Sequence, residues 1–394
     1  MRKEWELKKI GECFSYIKNG ANIKQTKGAG GYPITRIETL SGGVFNRDRL
    51  GYADVVDLEQ YKDYILESGD LLVSHINSKT YIGRTVVYEG KQGENIIHGM
   101  NLLRLKHNRS LINSAFLCYY TQSVSFKLDI MRIRKDAVNQ SSFAISDFKK
   151  IRIPVPVLAT QLSIVSELDK INKLIQIKKE QLKDYDALAQ SIFYEMFGDP
   201  VENEKGWEVK KLKDISRKIG DGLHGTPEYS ELDTGWYFIN GNNLEDGCIS
   251  IKSTTKNVTD SVRKKYYIEM DDFTLLVSIN GTLGKSAFYN GENVILGKSA
   301  CYIKLNKDVN KLFIYEIIRG EYFKRYAESV CTGTTIRNVS LKAMREFPII
   351  YPPLSLQHSF AQKIEQIEQQ KAAIQKTITD LETLLAARMQ YWFD

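Results

Sequence analysis

The feature that most constrains this chain is a long amphipathic segment that occurs twice. The first copy runs from Pro156 to Pro200, and the second begins at Pro352, 196 positions after the first, with the same proline, leucine and glutamine in its PxLxxQ preface. In both copies apolar residues recur at alternating steps of three and four, which is typical of a coiled-coil seam. Gly198 followed by Pro200 predicts the end of the first helix.

The predicted seams of the two helices stand in the same heptad register. In the first helix only Lys178 interrupts the apolar stripe. The seam residues are Ile164, Leu168, Ile171, Ile175, Leu182 and Ile192 in the first helix, and Phe360, Ile364, Ile367, Ile374, Ile378, Leu381 and Leu385 in the second. Two unrelated amphipathic helices are the alternative, but they would not share a non-helical preface.

The repeat extends to the segments before the helices. Residues 5–10 return as 207–212, residues 71–74 as 275–278, and Ile145-Ser146 as Val339-Ser340. A long-period repeat determines the architecture before any other feature is assigned. The chain is therefore predicted to alternate globule and helix, with boundaries at 1–155, 156–200, 201–351 and 352–394.

Each globule is predicted to be mixed α/β, with short strands punctuated by Gly and Asn. The predicted strands include 70–74, 85–88 and 102–105 in the first globule and 274–279, 286–289 and 300–305 in the second. One helical stretch follows in each, at 114–128 and at 311–329.

Composition limits the class of protein. Of the 394 residues 42% are hydrophobic and 26% charged, as in soluble globular proteins. No run approaches the roughly 20 apolar residues of a membrane span, and the start lacks the apolar core of a signal peptide. The five cysteines form no CxxC pair, which argues against a zinc site or a disulfide framework and favours a cytoplasmic location. The net charge of +7 leans towards a polyanionic partner.

Together these motifs resemble the specificity subunit of type I restriction-modification enzymes. The resemblance covers the whole chain and rests on the repeated PxLxxQ preface with its helix, on the central FGDP and KGWEV sequences at 197–200 and 205–209, and on DGLHGTP at 221–227. It implies an α+β fold in which two mixed α/β target recognition domains are separated by two long helices that pack as an antiparallel coiled coil, with a pseudo-two-fold internal repeat. The opening of the first globule, residues 17–22, departs from the DGxHGTP pattern.

The resemblance also implies a non-catalytic subunit that recognises a bipartite, asymmetric target in double-stranded DNA. Its partners would be two methyltransferase subunits, one per half, and restriction subunits that translocate and cleave DNA. No cofactor or metal of its own is expected, because S-adenosylmethionine, ATP and magnesium would belong to the partners. The chain carries no Gly-rich dinucleotide motif and no P-loop. A helix of about 37 residues would be roughly 55 Å long, more than one turn of DNA.

Base readout requires Arg or Lys for guanine, Asn or Gln for adenine, and Ser or Thr for either. The loops supply such residues, and we expect DNA contacts from Lys24, Gln25, Lys27, Arg36, Ser74, His75, Asn77, Lys79, Thr80, Arg84, Asn139 and Gln140 in the first globule, and from His224, Thr226, Asn240, Asn242, Asn243, Ser278, Asn280, Thr282, Lys285, Thr334, Thr335 and Arg337 in the second. Phosphate contacts are predicted for Arg36, Arg84, Lys285 and the run of Arg132, Arg134 and Lys135, with a solvated surface as the alternative. The alternative is that these clusters form ordinary turns; loops 74–80 and 278–282 are favoured because they follow matching strands.

Three other functions remain open on sequence grounds. The specificity subunit of a type II enzyme with a bipartite site would have the same architecture and differ only in its partner genes. A coiled-coil scaffold whose globules bind proteins would show no sequence-specific DNA binding and no steep salt dependence. An enzyme with a Cys or His nucleophile is the least favoured, because no pairing of such residues in the sequence supports it.

Overall fold

The computed structural model describes residues 5–26, 30–108, 110–138, 140–245, 247–331 and 337–394. Four predicted DNA contacts, Lys27, Asn139, Thr334 and Thr335, lie outside the described residues. The chain divides into two compact units: unit 1 comprises residues 1–179 and 376–394, and unit 2 comprises residues 180–375. Within the described part of the chain, no helix combines the length and the apolar character that crossing a membrane requires.

Unit 1 contains twelve short strands among its described residues. They are β1 (Glu6–Lys9), β2 (Phe14–Asn19), β3 (Gln25–Thr26), β4 (Tyr32–Ile34), β5 (Gly51–Ala53), β6 (Leu71–Ser74), β7 (Ile76–Asn77), β8 (Thr85–Val87), β9 (Leu102–His107), β10 (Lys135–Asp136), β11 (Ser141–Ser142) and β12 (Arg152–Val155). The helices are α1 (Ile10–Cys13), α2 (Ser114–Tyr120), α3 (Val124–Ile133), α4 (Ile145–Phe148) and α5 (Leu158–Phe197), which continues into unit 2. Short 3-10 segments occur at Ile37–Gly43, Arg47–Arg49 and Glu59–Tyr64.

The main sheet of unit 1 is antiparallel, with strand order β2-β9-β6-β8. Its centre is β6, whose four residues are all buried, and Leu72 of β6 stands opposite Arg104 of β9. Smaller sheets β3-β5-β4 and β10-β11-β7 flank it. The β1–β12 pair joins the start of the described chain to the strand that leads into α5.

Unit 2 contains a second set of twelve strands among its described residues. They are β13 (Val209–Lys211), β14 (Ser216–Asp221), β15 (Tyr229–Ser230), β16 (Tyr237–Ile239), β17 (Leu244–Glu245), β18 (Cys248–Ile249), β19 (Asn257–Val258), β20 (Thr274–Ser278), β21 (Ser286–Phe288), β22 (Val294–Leu296), β23 (Ala300–Leu305) and β24 (Pro348–Ile350). The helices are α6 (Asp260–Tyr266), α7 (Lys311–Arg319), α8 (Glu321–Val330), α9 (Leu341–Glu346) and α10 (Leu354–Phe393), which continues into unit 1. Short 3-10 segments occur at Leu212–Ile215 and Gly241–Asn243.

The internal repeat is visible in the strand order. The main sheet of unit 2, β14-β23-β20-β21, repeats the connections of β2-β9-β6-β8, and the β13–β24 pair repeats β1–β12. The four-stranded sheet β15-β19-β16-β22 of unit 2 corresponds to β3-β5-β4 of unit 1. β16 pairs in parallel with β22, as Ile34 of β4 is bridged in parallel to Ile97. The predicted α+β class with a repeated globule is confirmed.

Within each unit a part of α5 packs antiparallel against a part of α10. In unit 1, Glu167 pairs with Arg388 and Lys179 with Glu382 at 2.8 Å. In unit 2, Asp186 pairs with Lys371 at 2.9 Å, while the Phe197 and Phe360 rings lie 5.3 Å apart in the core. The long helices therefore contribute directly to the hydrophobic core of each unit.

The predicted seam residues follow this packing. Ile164, Leu168, Ile171, Ile175, Phe360, Ile364, Ile367, Ile374 and Ile378 are buried, whereas Leu182, Ile192, Leu381 and Leu385 are half-buried. Each helix has 40 residues, or roughly 60 Å at 1.5 Å per residue, slightly more than the expected length.

The helical stretches predicted at 114–128 and 311–329 were wrong as single helices. Each is a pair, α2 with α3 and α7 with α8. The first break occurs at Ser123, whose hydroxyl accepts from Phe126 N at 3.2 Å and caps α3. The second occurs at Gly320, whose backbone is extended. Apolar periodicity continues through both breaks, so it conceals them.

The glutamine of each PxLxxQ preface is completely buried and ties the start of a long helix to its globule. Gln161 Oε1 accepts from Asn113 N at 2.8 Å, and Gln161 Nε2 donates to the Leu111 and Pro156 carbonyls at 3.0 and 2.7 Å. Gln357 makes the equivalent bonds to Asn310 N at 3.0 Å and the Pro352 carbonyl at 2.9 Å. Because these hydrogen bonds satisfy the buried side-chain amide, they fix the direction in which each long helix extends from its globule.

Replacing Gln161 with leucine should lower the stability of unit 1 by roughly 3 kcal/mol. The change removes three hydrogen bonds and leaves the Asn113 amide and the Leu111 and Pro156 carbonyls without these partners, at roughly 1–3 kcal/mol for each buried unsatisfied group. Denaturant unfolding monitored in unit 1 measures the loss. The control is Gln176→Leu on the exposed face of α5, expected to stay within about 0.5 kcal/mol of the parent. Equal stability of the two variants would contradict a structural role for the preface.

Candidate nucleic-acid interface

In unit 1, pairing between distant strands brings two predicted polar clusters together. The loop that follows β6 turns around Ser74, whose hydroxyl accepts from Asn77 Nδ2 at 2.9 Å. β7 pairs with β11, so Asn77 stands opposite Ser141. Phe143 N also donates to the His75 carbonyl at 3.2 Å. Loop 74–80 and residues 140–142 therefore form one polar edge, which we name edge 1.

The charged side chains of edge 1 meet at Asp136. Its carboxylate contacts Lys79 at 3.1 Å and Arg134 at 2.8 Å, and accepts from the Ser141 hydroxyl at 2.7 Å. The Ser141 hydrogen bond, followed by those to Lys79 and Arg134, lowers the pKa of Asp136. Because Asp136 is exposed, an incoming phosphate can compete with it for both cations.

Unit 2 forms a matching edge from equivalent segments. The Ser278 hydroxyl donates to the Thr282 carbonyl at 2.7 Å and closes loop 278–282. Gly281 N donates to the Arg337 carbonyl at 3.0 Å, and Asn280 is bridged to Asn338. Loop 278–282 therefore lies beside residues 337–339, as loop 74–80 lies beside 140–142, and we name this edge 2.

Two further predicted clusters converge on edge 2. Gly241 N donates to Ser299 Oγ at 3.0 Å, and a Cβ at Gly241 would come within 2.3 Å of Ser278 Oγ, so this position requires glycine. Leu223 N donates to the Leu296 carbonyl at 2.7 Å, which holds the loop containing His224 beside the same strand ends. The His224 ring contacts Asp221 at 2.7 Å. Loops separated by more than 100 residues thus supply one surface.

The described members of the predicted DNA-contacting set differ widely in exposure. Lys24, Gln25, Lys79, Thr80, Gln140, His224, Thr226, Asn242, Thr282 and Arg337 are exposed; Arg36, Asn77, Arg84, Asn240, Asn243, Asn280 and Lys285 are half-buried; Ser74, His75 and Ser278 are buried. The serine hydroxyls of the buried group bond within their own loops. In this structure these three side chains shape the edges instead of presenting polar atoms to solvent.

The predicted phosphate contacts are partly engaged by the protein. Arg36 lies 3.6 Å from Glu38, and Arg84 donates to the Leu40 carbonyl at 3.2 Å. The Arg84 guanidinium also lies 4.4 Å from the centre of the exposed Tyr81 ring. Arg337, which is predicted to read bases, is also engaged, since it pairs with Glu328 at 3.1 Å.

Sequence reasoning missed two polar residues of edge 2. The Asn338 backbone is bridged to that of Asn280. Lys298 N donates to the Leu223 carbonyl at 3.0 Å. The available signal for Asn338 was its place between Arg337 and the repeated Val339-Ser340 motif. For Lys298 it was a GKS sequence between two apolar strands.

Unit 1 contains two buried histidines, His75 in edge 1 and His98. His98 Nε2 donates to the Leu102 carbonyl at 2.8 Å, while the Nδ1 atoms of both His75 and His98 are buried with no partner among the described residues. Burial lowers the pKa of His75 to about 4 and that of His98 to about 3. Both rings are therefore neutral at pH 7 in the folded protein.

Unit 1 should lose stability as the pH falls from about 6.5 towards 4. The folded pKa values of His75 and His98 lie below the ordinary value of 6.5, so below that pH the unfolded chain binds more protons. The loss is at most about 2 kcal/mol per histidine at pH 5. Calorimetric Tm values between pH 7.5 and 5 measure it. His98→Gln, which keeps a donor for the Leu102 carbonyl, should flatten the pH dependence. An unchanged slope in His98→Gln would contradict this assignment.

Metal-ligand clusters and the Cys13 and Cys118 thiols were the other candidate reactive groups. Among the described residues, no group of three or more His, Cys, Asp and Glu side chains is placed to hold a metal ion. Burial raises the pKa of the Cys13 and Cys118 thiols to about 11, so neither is an activated nucleophile. The arrangement instead combines amide, hydroxyl and cationic side chains on loops, which suits recognition of base edges and phosphates.

Comparison with protein families gives one match that covers most of the chain. The profile described as the Type I restriction modification DNA specificity domain matches residues 2–184 and 204–383. The chain is similar to the putative type I restriction enzyme MjaX specificity subunit of Methanocaldococcus jannaschii, with 28% identity over 374 residues, covering 93% of this chain and 87% of that protein. It is also similar to the type I restriction enzyme StySPI specificity subunit of Salmonella potsdam, with 23% identity over 299 residues, covering 68% and 61%.

Two solved structures share the fold over the full length. The crystal structure of the type I restriction-modification system S subunit from M. genitalium gives a TM-score of 0.55 at 15% identity, covering 100% of this chain and 98% of that one. A chain from a study of complex assembly and conformational transition of the type I R-M system gives a TM-score of 0.60 at 15% identity, with the same coverage. At this identity the likeness concerns the fold alone.

Proposed function

Because this chain belongs to the Type I restriction modification DNA specificity family, we propose that it reads a bipartite, asymmetric target in double-stranded DNA for a restriction-modification complex. Residues 1–155 and 201–351 are the two target recognition domains, and 156–200 and 352–394 are the helical regions between them. The observation that carries the proposal is that equivalent loops build the same kind of polar edge in both units. One scaffold is used twice, once for each half-site.

The residues on the two edges differ, which supports two dissimilar half-sites. Edge 1 presents the exposed Lys79 and Gln140, and the half-buried Arg134 lies beside it, paired with Asp136. Edge 2 is rich in asparagine, with Asn242 exposed and Asn240 and Asn280 half-buried. Amide side chains favour adenine, and Arg or Lys favours guanine or phosphate. The two edges therefore have different base preferences.

The chain acts without chemistry of its own in this proposal. Two methyltransferase subunits, one per half, and restriction subunits with translocase and nuclease activity supply the reactions. S-adenosylmethionine, ATP and magnesium bind to those partners. The similarity to named type I specificity subunits supports this division of labour.

The proposal is tested by alanine variants of exposed amides, one on each edge, in the complete complex. The target is first identified by methylation mapping of genomic DNA. Asn242→Ala should then weaken binding to the cognate site by about 1–3 kcal/mol, if the amide pairs with an adenine, and relax discrimination in one half-site only. Gln140→Ala should relax the other half-site, and Asn280→Ala should affect the same half-site as Asn242→Ala.

Lys79→Ala is the matched control. Loss of a phosphate contact should weaken binding to cognate and random DNA equally and should reduce the salt dependence of binding. Equal weakening on both DNAs by Asn242→Ala and Gln140→Ala would contradict their role in base readout. Binding that is independent of DNA sequence in the parent complex would favour a protein scaffold instead.

A further inference from the structure

Unit 2 contains a cavity of about 330 Å³ where the corner between α7 and α8 meets α5. Phe193, Tyr194, Pro200, Ile317 and Tyr322 form its apolar walls, and Asp186, Glu316, Arg319 and Glu321 contribute charged groups. It lies on helices and involves none of the loops of edge 2. The proposed DNA contacts therefore leave it unused.

The charges around the cavity do not balance. Arg319 contacts Asp186, Glu316 and Glu368 at 3.3, 3.4 and 3.9 Å, all longer than a good charge-assisted hydrogen bond. Lys371 contacts Asp186 and Glu368, both at 2.9 Å. Three carboxylates therefore share two cations, which leaves an excess of one negative charge when all three are ionised.

Glu316 is where this excess is concentrated. Its side chain is only 9% exposed, and its one hydrogen bond among the described residues is the 3.4 Å contact with Arg319. Burial raises the pKa of Glu316, with the charge of Glu368 adding to the effect. A buried carboxylate is costly unless a cation pairs with it, so a cation entering the cavity would be stabilised there.

The walls favour a cation as well. Aromatic faces attract ammonium and guanidinium groups, and Phe193, Tyr194 and Tyr322 line the same space as Glu316. The first turn of α8 could in principle attract an anion, but Glu321 already supplies a negative charge there. DNA phosphate would be repelled by these carboxylates, which makes a protein side chain the better occupant.

Unit 1 is built differently at the equivalent corner. The first amides of α3 are bound by the Asp394 carboxylate, with Val124 N at 3.3 Å and Ser125 N at 2.9 Å. The position of Glu316 is taken by Tyr119, whose hydroxyl donates to Asp169 at 2.6 Å. The buried carboxylate and its unbalanced charge are therefore features of unit 2.

We propose that this cavity receives an arginine or lysine side chain of the methyltransferase subunit that docks on unit 2. The proposal rests on the proposed function, since it assumes that such a subunit binds this chain. The basic side chain would enter between Tyr194 and Tyr322 and pair with Glu316. Unit 1 lacks the carboxylate, so the two docked subunits would be held by unequal contacts.

Two variants test the site by different means in the full-length chain. Glu316→Gln keeps the shape and removes the charge, while Ala187→Phe keeps the charge and fills the cavity. We expect each variant to lower the affinity of unit 2 for the methyltransferase subunit by about tenfold, as measured by titration calorimetry. The Tm of Glu316→Gln should be unchanged or higher. Ser191→Phe, at an exposed position of α5 outside the cavity, is the matched control and should bind as the parent does.

The occupant is identified by charge reversal. Glu316→Lys should abolish the contact, and one Arg→Glu or Lys→Glu change in a scan of the methyltransferase surface should restore it. Unchanged affinity in both Glu316→Gln and Ala187→Phe would overturn the proposal, as would weakening by Ala187→Phe alone, since charge would then play no part. If the parent chain binds no methyltransferase subunit at all, the proposed function fails instead.

Discussion

A chain that ends at Gly198 should dimerise and direct its methyltransferase to a palindromic bipartite target. In the intact chain the core of unit 1 includes Phe393 from α10, which is fully buried and lies 5.5 Å from Phe116 and 5.8 Å from Tyr120 between ring centres. The shortened chain lacks α10. Phe197 stands at the equivalent position of the repeat, so the second half of α5 from another copy can supply the missing ring.

α5 of a second copy does not reproduce every contact of α10, and the missing contact allows a sharper test. Arg388 of α10, which pairs with Glu167, is replaced in the repeat by Ile192, so each Glu167 of the dimer loses its partner. Ile192→Arg in the shortened chain should restore the pair on both sides and tighten the dimer by about 1 kcal/mol per pair. Ile177→Arg, at an exposed position of α5, is the matched control and should have no such effect.

Sedimentation equilibrium measures the dimer, and methylation mapping reads its target. Two identical recognition domains related by a two-fold axis must meet identical half-sites. A monomer at micromolar concentration would contradict the pairing of the helices. A dimer that still directs methylation to an asymmetric site would show that a partner subunit contributes sequence readout.

The long helices could be predicted because their signal is local and repeated. A heptad stripe over 40 residues, with Gln161 and Gln357 in matching prefaces, leaves few alternatives for either segment. The breaks at Ser123 and Gly320 were missed because one hydroxyl cap or one glycine is a weak signal beside a continuous apolar stripe. Local propensity thus predicted where helices occur better than where they stop.

The candidate site was predictable only as a set of loops. Polar residues after buried strands drew attention to 74–80 and 278–282, and those loops do lie at strand ends. The pairing of Asn77 with Ser141 and of Asn280 with Asn338 depends on contacts between distant strands, which periodicity does not encode. The burial of His75 has the same origin, since it results from packing against Phe143 at 6.3 Å between ring centres.

Inserting four residues into both long helices should lengthen the unread gap of the DNA target by one or two base pairs. α5 and α10 are each continuous over 40 residues, and the boundary between the units falls after Lys179 in one and after Gln375 in the other. Those two positions are equivalent in the repeat. Four residues add about 6 Å of helix and about 400° of rotation at 3.6 residues per turn, and 6 Å is close to two steps of DNA at about 3.4 Å each.

The paired insertion is needed because α10 packs against α5 in both units. With both helices lengthened, the Glu167–Arg388 pair of unit 1 and the Asp186–Lys371 pair of unit 2 stay intact. Inserting four residues after Lys179 alone would shift one helix by a turn against its partner. We expect that variant to lose Tm, and we expect the paired variant to keep it.

Methylation mapping of the paired variant decides what sets the spacing. Both half-site sequences should persist, because the edges are untouched, while the gap between them grows. Paired insertions of two residues rotate the following helix by about 200°, which turns the apolar seam away from its partner, so that variant should lose both stability and methylation. If the four-residue variant is stable and still directs methylation to a target with the original gap, the length of the helices does not determine the gap. The distance between the half-sites is then imposed by the methyltransferase subunits that hold the DNA.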